Sequence, residues 1–262
     1  MQSAMYSGLF GALTSEHRMN SIANNLANVN TTGYKRDRLA FQDTFQMYAH
    51  DMIFEAGANI RDKKMFPEPT HFARTRISVA QTDFQQGALK GTSSPFDVAL
   101  GGDGFFRVQT PDGEFYTRNG HFRTTAEGLL ITEQGYTVMG EGGEITVPAG
   151  YRDLVIAEDG RMFADGLQFG QLAVVGVANP EVLEKMGHNL YRPRNGAEVE
   201  EAAVDPTATR VMQGFLEAPN VDAVYEMVNM IETQRHFEAM QKVMQSSDTI
   251  DREAISKVGK RV

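Results

Sequence analysis

The sequence predicts an α+β chain, with a long helix at each end and an all-β domain between them. Three observations carry this prediction. Residues 1–30 hold no proline, and Met5, Leu9, Ala12, Met19, Ala23 and Leu26 recur at three-four spacing. No glycine or proline follows Pro219 until Gly259. Between about 72 and 216, Asp-Gly and Asn-Gly pairs punctuate short β-prone runs.

At 100° per residue the six N-terminal apolar residues fall within an arc of about 100°. The run is broken only by Glu16, and Gly33 after Thr31-Thr32 supplies a stop. The helix so predicted is roughly 38 Å long at 1.5 Å per residue. The segment 39–71 reads as a linker, with a polar stretch from Ala56 to Lys64 and Pro67-Glu68-Pro69.

In the middle, Asp103-Gly104, Asp112-Gly113, Asn119-Gly120, Asp159-Gly160, Asp165-Gly166 and Asn195-Gly196 predict tight turns at positive φ. The intervening strands are Phe105 to Gln109, Glu114 to Arg118, Leu154 to Ala157 and Leu172 to Ala178. Phe106 and Val108 alternate with Arg107 and Gln109, as on a half-buried strand. For the C-terminal helix Asn220 offers an N-cap, and Asp222 and Glu226 suit its positive end. Val221, Val224, Val228 and Ile231 form one apolar stripe. Met230, Phe237, Met240 and Met244 form a second, rotated far around the axis. One helix with two apolar faces should meet different neighbours along its length. The plain alternative is a core helix buried on several sides. The segments are thus 1–38 (helical), 39–71 (linker), 72–216 (β-rich) and 217–262 (helical).

The 262 residues are 41% hydrophobic and 23% charged, enough to form a core. A net charge of −9 lacks the basic footprint of a nucleic-acid binder. The one dense basic cluster, Lys35, Arg36 and Arg38, reads as a solvated helix end. With no cysteine there is no disulfide, thiol nucleophile or Cys-ligated zinc. No stretch approaches the roughly 20 apolar residues of a membrane span. A basic leader followed by an apolar run is missing, which predicts no cleaved secretory signal.

Motifs for chemistry are sparse. His17, His50, His71, His121, His188 and His236 form neither HxH nor HExxH spacing, which predicts no metal site. Gly101-Gly102-Asp103-Gly104 lacks the endings of phosphate and dinucleotide loops, and reads as a turn before a strand. Ser93-Ser94 sits in no GxSxG motif. No catalytic residue and no cofactor is predicted. The remaining polar feature is a row of amides, Asn20, Asn24 and Asn28, with Asn25 beside it. Such a row either hydrogen-bonds to neighbouring helices and fixes register, or forms a solvated face near a helix end. The residues alone leave both open.

Three long stretches resemble a known family. Ser21 to Arg36 (SIANNLANVNTTGYKR) resembles the N-terminal signature of flagellar rod and hook proteins. Pro95 to Phe106 (PFDVALGGDGFF), continued by Arg118-Asn-Gly120 and Phe122, resembles their central motif. Leu216 to Asp222, Glu226 to Ile231 and Gln234 to Glu238 resemble their C-terminal signature. The likeness runs in order over nearly the whole chain, more loosely over 149–215. Pro219 departs from it, standing where the family usually has serine. Phe237 to Val243 and the polar tail beyond Ser246 are more similar to the proximal-rod type than to the distal-rod type.

The resemblance implies a structural subunit of the flagellar basal-body rod, of the proximal type, with the distal type as the alternative. It implies terminal helices packed together in a coiled-coil-like inner layer and a β-domain outside them. Ile22, Asn25, Leu26 and Asn28 on one helix, and Val221, Val228, Met230, Ile231 and Phe237 on the other, would pack and register the subunits. Partners would be further copies, other rod proteins, the flagellar type III export apparatus and the surrounding ring proteins. Export would need no cleaved signal, and the rod would span the periplasm. Two other classes stand against this reading. A peptidoglycan-associated β-domain enzyme or binding module would need a carboxylate-lined or metal-bearing cleft. A cytoplasmic adaptor would be a stable monomer or dimer.

Overall fold

A computed structural model describes residues 2–47, 71–194, 201–203 and 209–259. They form an α+β chain with a helix near each end and strands between. The chain divides into two compact units: 1–23, 38–81 and 225–262 make the first, and 24–37 with 82–224 make the second.

In the first unit, helix α1 spans Gln2–Ala27, its last turn extending into the second unit, and α2 spans Ala223–Gly259. Strands Asp37–Met47 and His71–Thr82 pair as a two-stranded sheet, so strand occupies the first residues of the expected linker. Ala56 to Lys64 and Pro67-Glu68-Pro69 lie outside the described residues.

The second unit is β-rich. Its principal sheet runs, strand by strand, Leu183–Gly187, Leu190–Pro193, Gly113–Thr117, Phe105–Thr110, Thr137–Gly140, Leu130–Thr132 and Phe122–Thr124, all antiparallel. Phe105–Thr110 is central. Phe106 faces Thr117 and Val108 faces Phe115 in register. Phe106 and Val108 enter the main core with Leu100, Phe122, Leu130 and Val138. Phe105 enters a second cluster on the other face, with Tyr116, Leu183 and Tyr191. Simple alternation therefore understates this strand, because both faces are covered there. A three-stranded sheet (Leu154–Ile156, Arg161–Ala164, Leu167–Gln171) adds Ile156 and Met162 to the core.

Four of the six turn pairs have glycine at positive φ, and Asp165 at φ 50° precedes Gly166 at 84° in a tight hairpin. Asn119-Gly120 differs. Gly120 is not left-handed; a Cβ there would stand 1.6 Å from the Val98 carbonyl oxygen, so glycine answers a close backbone approach. Asn195-Gly196 lies outside the described residues. Gly113 has φ 120° and Gly160 φ 82°. Gly113→Val and Gly160→Val should each lower thermal stability by about 1 kcal/mol or more. Calorimetry of both variants checks this, and unchanged melting in both would contradict it.

Candidate assembly surfaces and the buried ion cluster

Burial along both helices follows the alternating four-three spacing of a helix seam. On α1 the shielded positions include Gly8, Ala12, Ser15, Met19, Ile22 and Leu26, flanked by Gly11, Thr14, Ser21 and Asn25. On α2 they are Glu226, Met230, Thr233, Phe237, Met240 and Met244, continued by Ser247, Asp251 and Ala254. Three contacts fix the pairing within the first unit. A Cβ on Gly8 would meet Met244 Cγ at 2.8 Å, one on Gly11 would meet Met240 Sδ at 3.1 Å, and Ser15 Oγ lies 3.1 Å from His236 Nδ1. Numbering rises on one helix as it falls on the other, so the two are antiparallel. Ser15 gives its hydroxyl proton to the Gly11 carbonyl at 2.9 Å, which leaves the imidazole N–H as donor to Oγ. Glycine inside a helix costs about 1 kcal/mol against alanine. Here it admits methionines that a larger residue would push away.

Of the residues expected to pack subunits, Ile22, Asn25 and Val221 are buried, while Leu26, Asn28, Met230 and Phe237 are half-buried. Val228 and Ile231 are exposed. The two stripes of α2 therefore differ in fate. The methionine stripe meets α1 of the same chain, whereas Val224, Val228 and Ile231 remain uncovered.

The amides of the second unit are engaged within the chain. Asn25 donates to the Asp37 carbonyl at 3.0 Å and accepts the Asp37 N–H at 2.9 Å, so its side chain mimics a peptide group. The Tyr34 hydroxyl lies 2.8 Å from Asn24 Oδ1 and 3.1 Å from Asn25 Oδ1. Asn28 donates to the Asn24 carbonyl at 2.8 Å, and Thr31 donates to Asn28 Oδ1 at 3.2 Å. This part of the row ends α1 and shapes the turn after it.

That turn delivers Lys35 into the interior. The basic cluster read as a solvated helix end is solvated only in part: Arg38 is exposed and Arg36 half-buried, but Lys35 is 0% exposed. Its ammonium lies 2.5 Å from Glu217 Oε1 and donates to the Gln85 carbonyl at 2.7 Å. Glu217 Oε1 also accepts the Gly87 N–H at 2.9 Å, and Arg118 Nη1 lies 3.6 Å from Oε2. Arg118 donates to the Gly102 carbonyl at 2.8 Å and stacks over Phe105. Burial pulls Lys35 below its ordinary lysine range, opposed by Glu217, and burial lowers Arg118 in the same way. Arg36 pairs with Asp83 at 3.0 Å. Lys185 reaches Asp37 at 2.8 Å, above the Tyr34 ring.

Asn220 does not cap α2. Its Oδ1 accepts the Arg36 N–H at 2.7 Å and its amide donates to the carbonyls of Asp83 and Gln85. Asp222 is the cap, accepting the Val224 N–H at 2.9 Å. Gly33 sits at φ 68°, and a Cβ there would lie 2.7 Å from the backbone of Arg118 and Asn119. Gly33→Ala should therefore cost about 2 kcal/mol, combining left-handed strain with a clash against immobile backbone. A denaturant midpoint unchanged from the parent would refute that close approach.

Beside this turn lies an open polar cleft of about 660 Å³, lined by Asn24, Asn30, Thr31, Asn119, Lys185 and His188 among others. Several of its groups already bond within the chain, and among the described residues no nucleophile–base pair converges on it. Among the described residues no group of three or more His, Cys, Asp or Glu is placed to hold a metal.

Three family profiles match the chain in order. "Flagella basal body rod protein" covers residues 5–35, "Flagellar hook protein FlgE/F/G D1 domain" covers 99–164, and "Flagellar basal body rod FlgEFG protein C-terminal" covers 212–257. The chain is 32% identical to the flagellar basal-body rod protein FlgF of Caulobacter vibrioides, over 99% of each. It is 33% identical to FlgG of Bacillus subtilis, over 98% of this chain and 99% of that one. The chain belongs to the flagellar basal-body rod protein family. FlgG of Agrobacterium fabrum is a further relative, 35% identical over 87% of this chain and 88% of its own. The family is FlgF or FlgG in type, and membership makes the chain a structural subunit of the rod, not an enzyme, that assembles with other rod proteins. No described helix is long and apolar enough to cross a membrane.

The ion cluster draws one member from each matched segment: Lys35 from the first, Arg118 from the second and Glu217 from the third. All three lie inside the family motifs, far apart in sequence, and nothing in their spacing links them. The available signal was a lone charge in an apolar setting, Glu217 between Leu216 and Ala218.

Proposed function

We propose that this rod subunit belongs to the proximal segment, with its terminal helices forming a coiled-coil-like inner layer of the tube and its β-rich part lying outside. Uncovered apolar side chains on both helices carry this reading: Leu9 and Leu13 on α1, Val228 and Ile231 on α2. In a free chain they contact water, and in a tube they contact neighbours. The four-three seam supports a coiled-coil-like layer. Segments 1–38 and 217–262 are the assembly segments, 39–71 the linker and 72–216 the β-rich domain. Ile22, Asn25, Leu26, Asn28, Val221, Val228, Met230, Ile231 and Phe237 pack the helices and subunits. Export follows the flagellar type III route without a cleaved signal, the rod crosses the periplasm, and ring proteins surround it.

The proximal assignment rests on the C-terminal stretch Phe237 to Val243 and on the full-length match to a FlgF. FlgG relatives of similar identity favour the distal reading as the second. Labelling the chain in isolated basal bodies tests the choice. Label at the motor end supports the proximal reading, label at the hook end the distal one, and absence from basal bodies would overturn both.

A further inference from the structure

Side-chain packing holds α1 to α2, and methionines make two of the contacts. Met240 lays its thioether along Gly11: a Cβ on that glycine would stand 3.1 Å from Sδ, 3.3 Å from Cγ and 3.5 Å from Cε. Met244 packs the same way one turn on, its Cγ 2.8 Å from a Cβ on Gly8. The α1 side of each contact is too tight for a methyl group without a shift, so an oxygen on the Met240 sulfur finds no room there. Ser15, one turn along, has no proton to give such an oxygen, because its hydroxyl already donates to the Gly11 carbonyl at 2.9 Å. Yet both methionines are only half-buried, within reach of a small solute. Other methionines differ. Met5, Met186 and Met227 are 43–45% exposed, where added polarity meets water. Met162 is 0% exposed in the main core. Met212 lies in a strand, Arg210–Gln213, that pairs with Val98–Gly101 through its backbone. The chain has no cysteine, so methionine is the sulfur it offers to an oxidant.

We propose that Met240 and Met244 are modification sites, whose oxidation to sulfoxides by hydrogen peroxide releases α2 from α1. In each step the sulfur lone pair attacks one peroxide oxygen. The O–O bond breaks, an S–O bond forms, and the second oxygen leaves as water once a proton has moved to it. The sulfur gives up two electrons and the peroxide takes them. The product replaces a pliable apolar side chain by a polar one. A sulfoxide pressed against the Gly11 notch is stripped of water without gaining a donor, and it escapes that cost only if the helices part. Helices without a packed partner are marginal in water, so parting also frays them. Reduction of the sulfoxides restores the thioethers, which makes the release reversible. The device lies within one chain and stands whichever rod segment the subunit occupies.

The test treats the full chain with dilute hydrogen peroxide. Peptide mass spectrometry locates the added oxygens, and amide hydrogen exchange over residues 8–22 reads the closure of the pair. Two variants accompany the parent. Met240→Leu with Met244→Leu keeps the volume and the helix propensity while removing both sulfurs. Met5→Leu with Met186→Leu and Met227→Leu removes the exposed ones. In the parent, peroxide is expected to oxidise Met240 and Met244 and to speed exchange by about tenfold or more, and methionine sulfoxide reductases are expected to reverse it. The triple variant should respond like the parent, and the double variant should keep its slow exchange. Oxygen at both sites with exchange unchanged would overturn the proposal. So would Met240 and Met244 staying reduced while Met5, Met186 and Met227 are oxidised. Equal loosening of the double variant would place the effect at Met19 or Met230 and overturn it too. Fast exchange in the untreated parent would do the same, by showing no closed pair to open.

Discussion

The Glu217→Ala variant is expected to lose about 3–5 kcal/mol of stability, because it leaves the Lys35 and Arg118 charges buried without a counter-charge. For a domain of this size each kcal/mol shifts the melting temperature by roughly 2–4 °C, so a fall of about 6–20 °C is expected. The double variant Lys35→Met with Glu217→Leu should recover much of the loss, because apolar replacements leave fewer ions unpaired. Asp159→Ala, which breaks a solvent-exposed pair with Arg161, should change stability by less than about 1 kcal/mol. Scanning calorimetry of the four proteins decides. A Glu217→Ala melt within 2–3 °C of the parent, set against the roughly 6–20 °C expected from breaking a buried pair, would mean that the pair is not the lock described here.

The second large effect is on assembly. Ile231→Asp should leave the isolated protein folded, because Ile231 is 52% exposed. The same substitution should abolish motility. A carboxylate desolvated in an apolar contact costs several kcal/mol at each site, and a polymer repeats that cost in every copy. Circular dichroism and a swimming assay separate the two effects. Normal swimming with normal expression would remove this face from the assembly surface.

Much of the fold was legible because its signals are local. The terminal helices follow from period and from missing helix breakers, and most Asp-Gly turns from the φ angles they need. The failures share one cause, contact between residues distant in sequence. Asn220 has the chemistry of a cap, yet Arg36, Asp83 and Gln85 claim its side chain, so capping passes to Asp222. Asn119-Gly120 has the letters of a turn, but its glycine is required by the passing Val98 carbonyl. Lys35 has the letters of a solvated end, but its counter-charge is 182 residues away. The amide row shows the same limit. Its spacing was visible, while the Asp37 and Tyr34 groups that engage Asn25 could not be read from helix periodicity. The family motifs did mark the right stretches, since each contains members of the junction that these contacts build.

The central claim is that uncovered apolar residues on the helices, and not apolar exposure in general, attach this subunit to the rod. Leu167, in the three-stranded sheet, supplies the control because it is 77% exposed, more than Ile231. The decisive measurement is the amount of this protein in basal bodies purified from cells whose only copy is Ile231→Asp or Leu167→Asp. The account predicts parental content for Leu167→Asp and at least a tenfold loss for Ile231→Asp. Equal content in the two would contradict it.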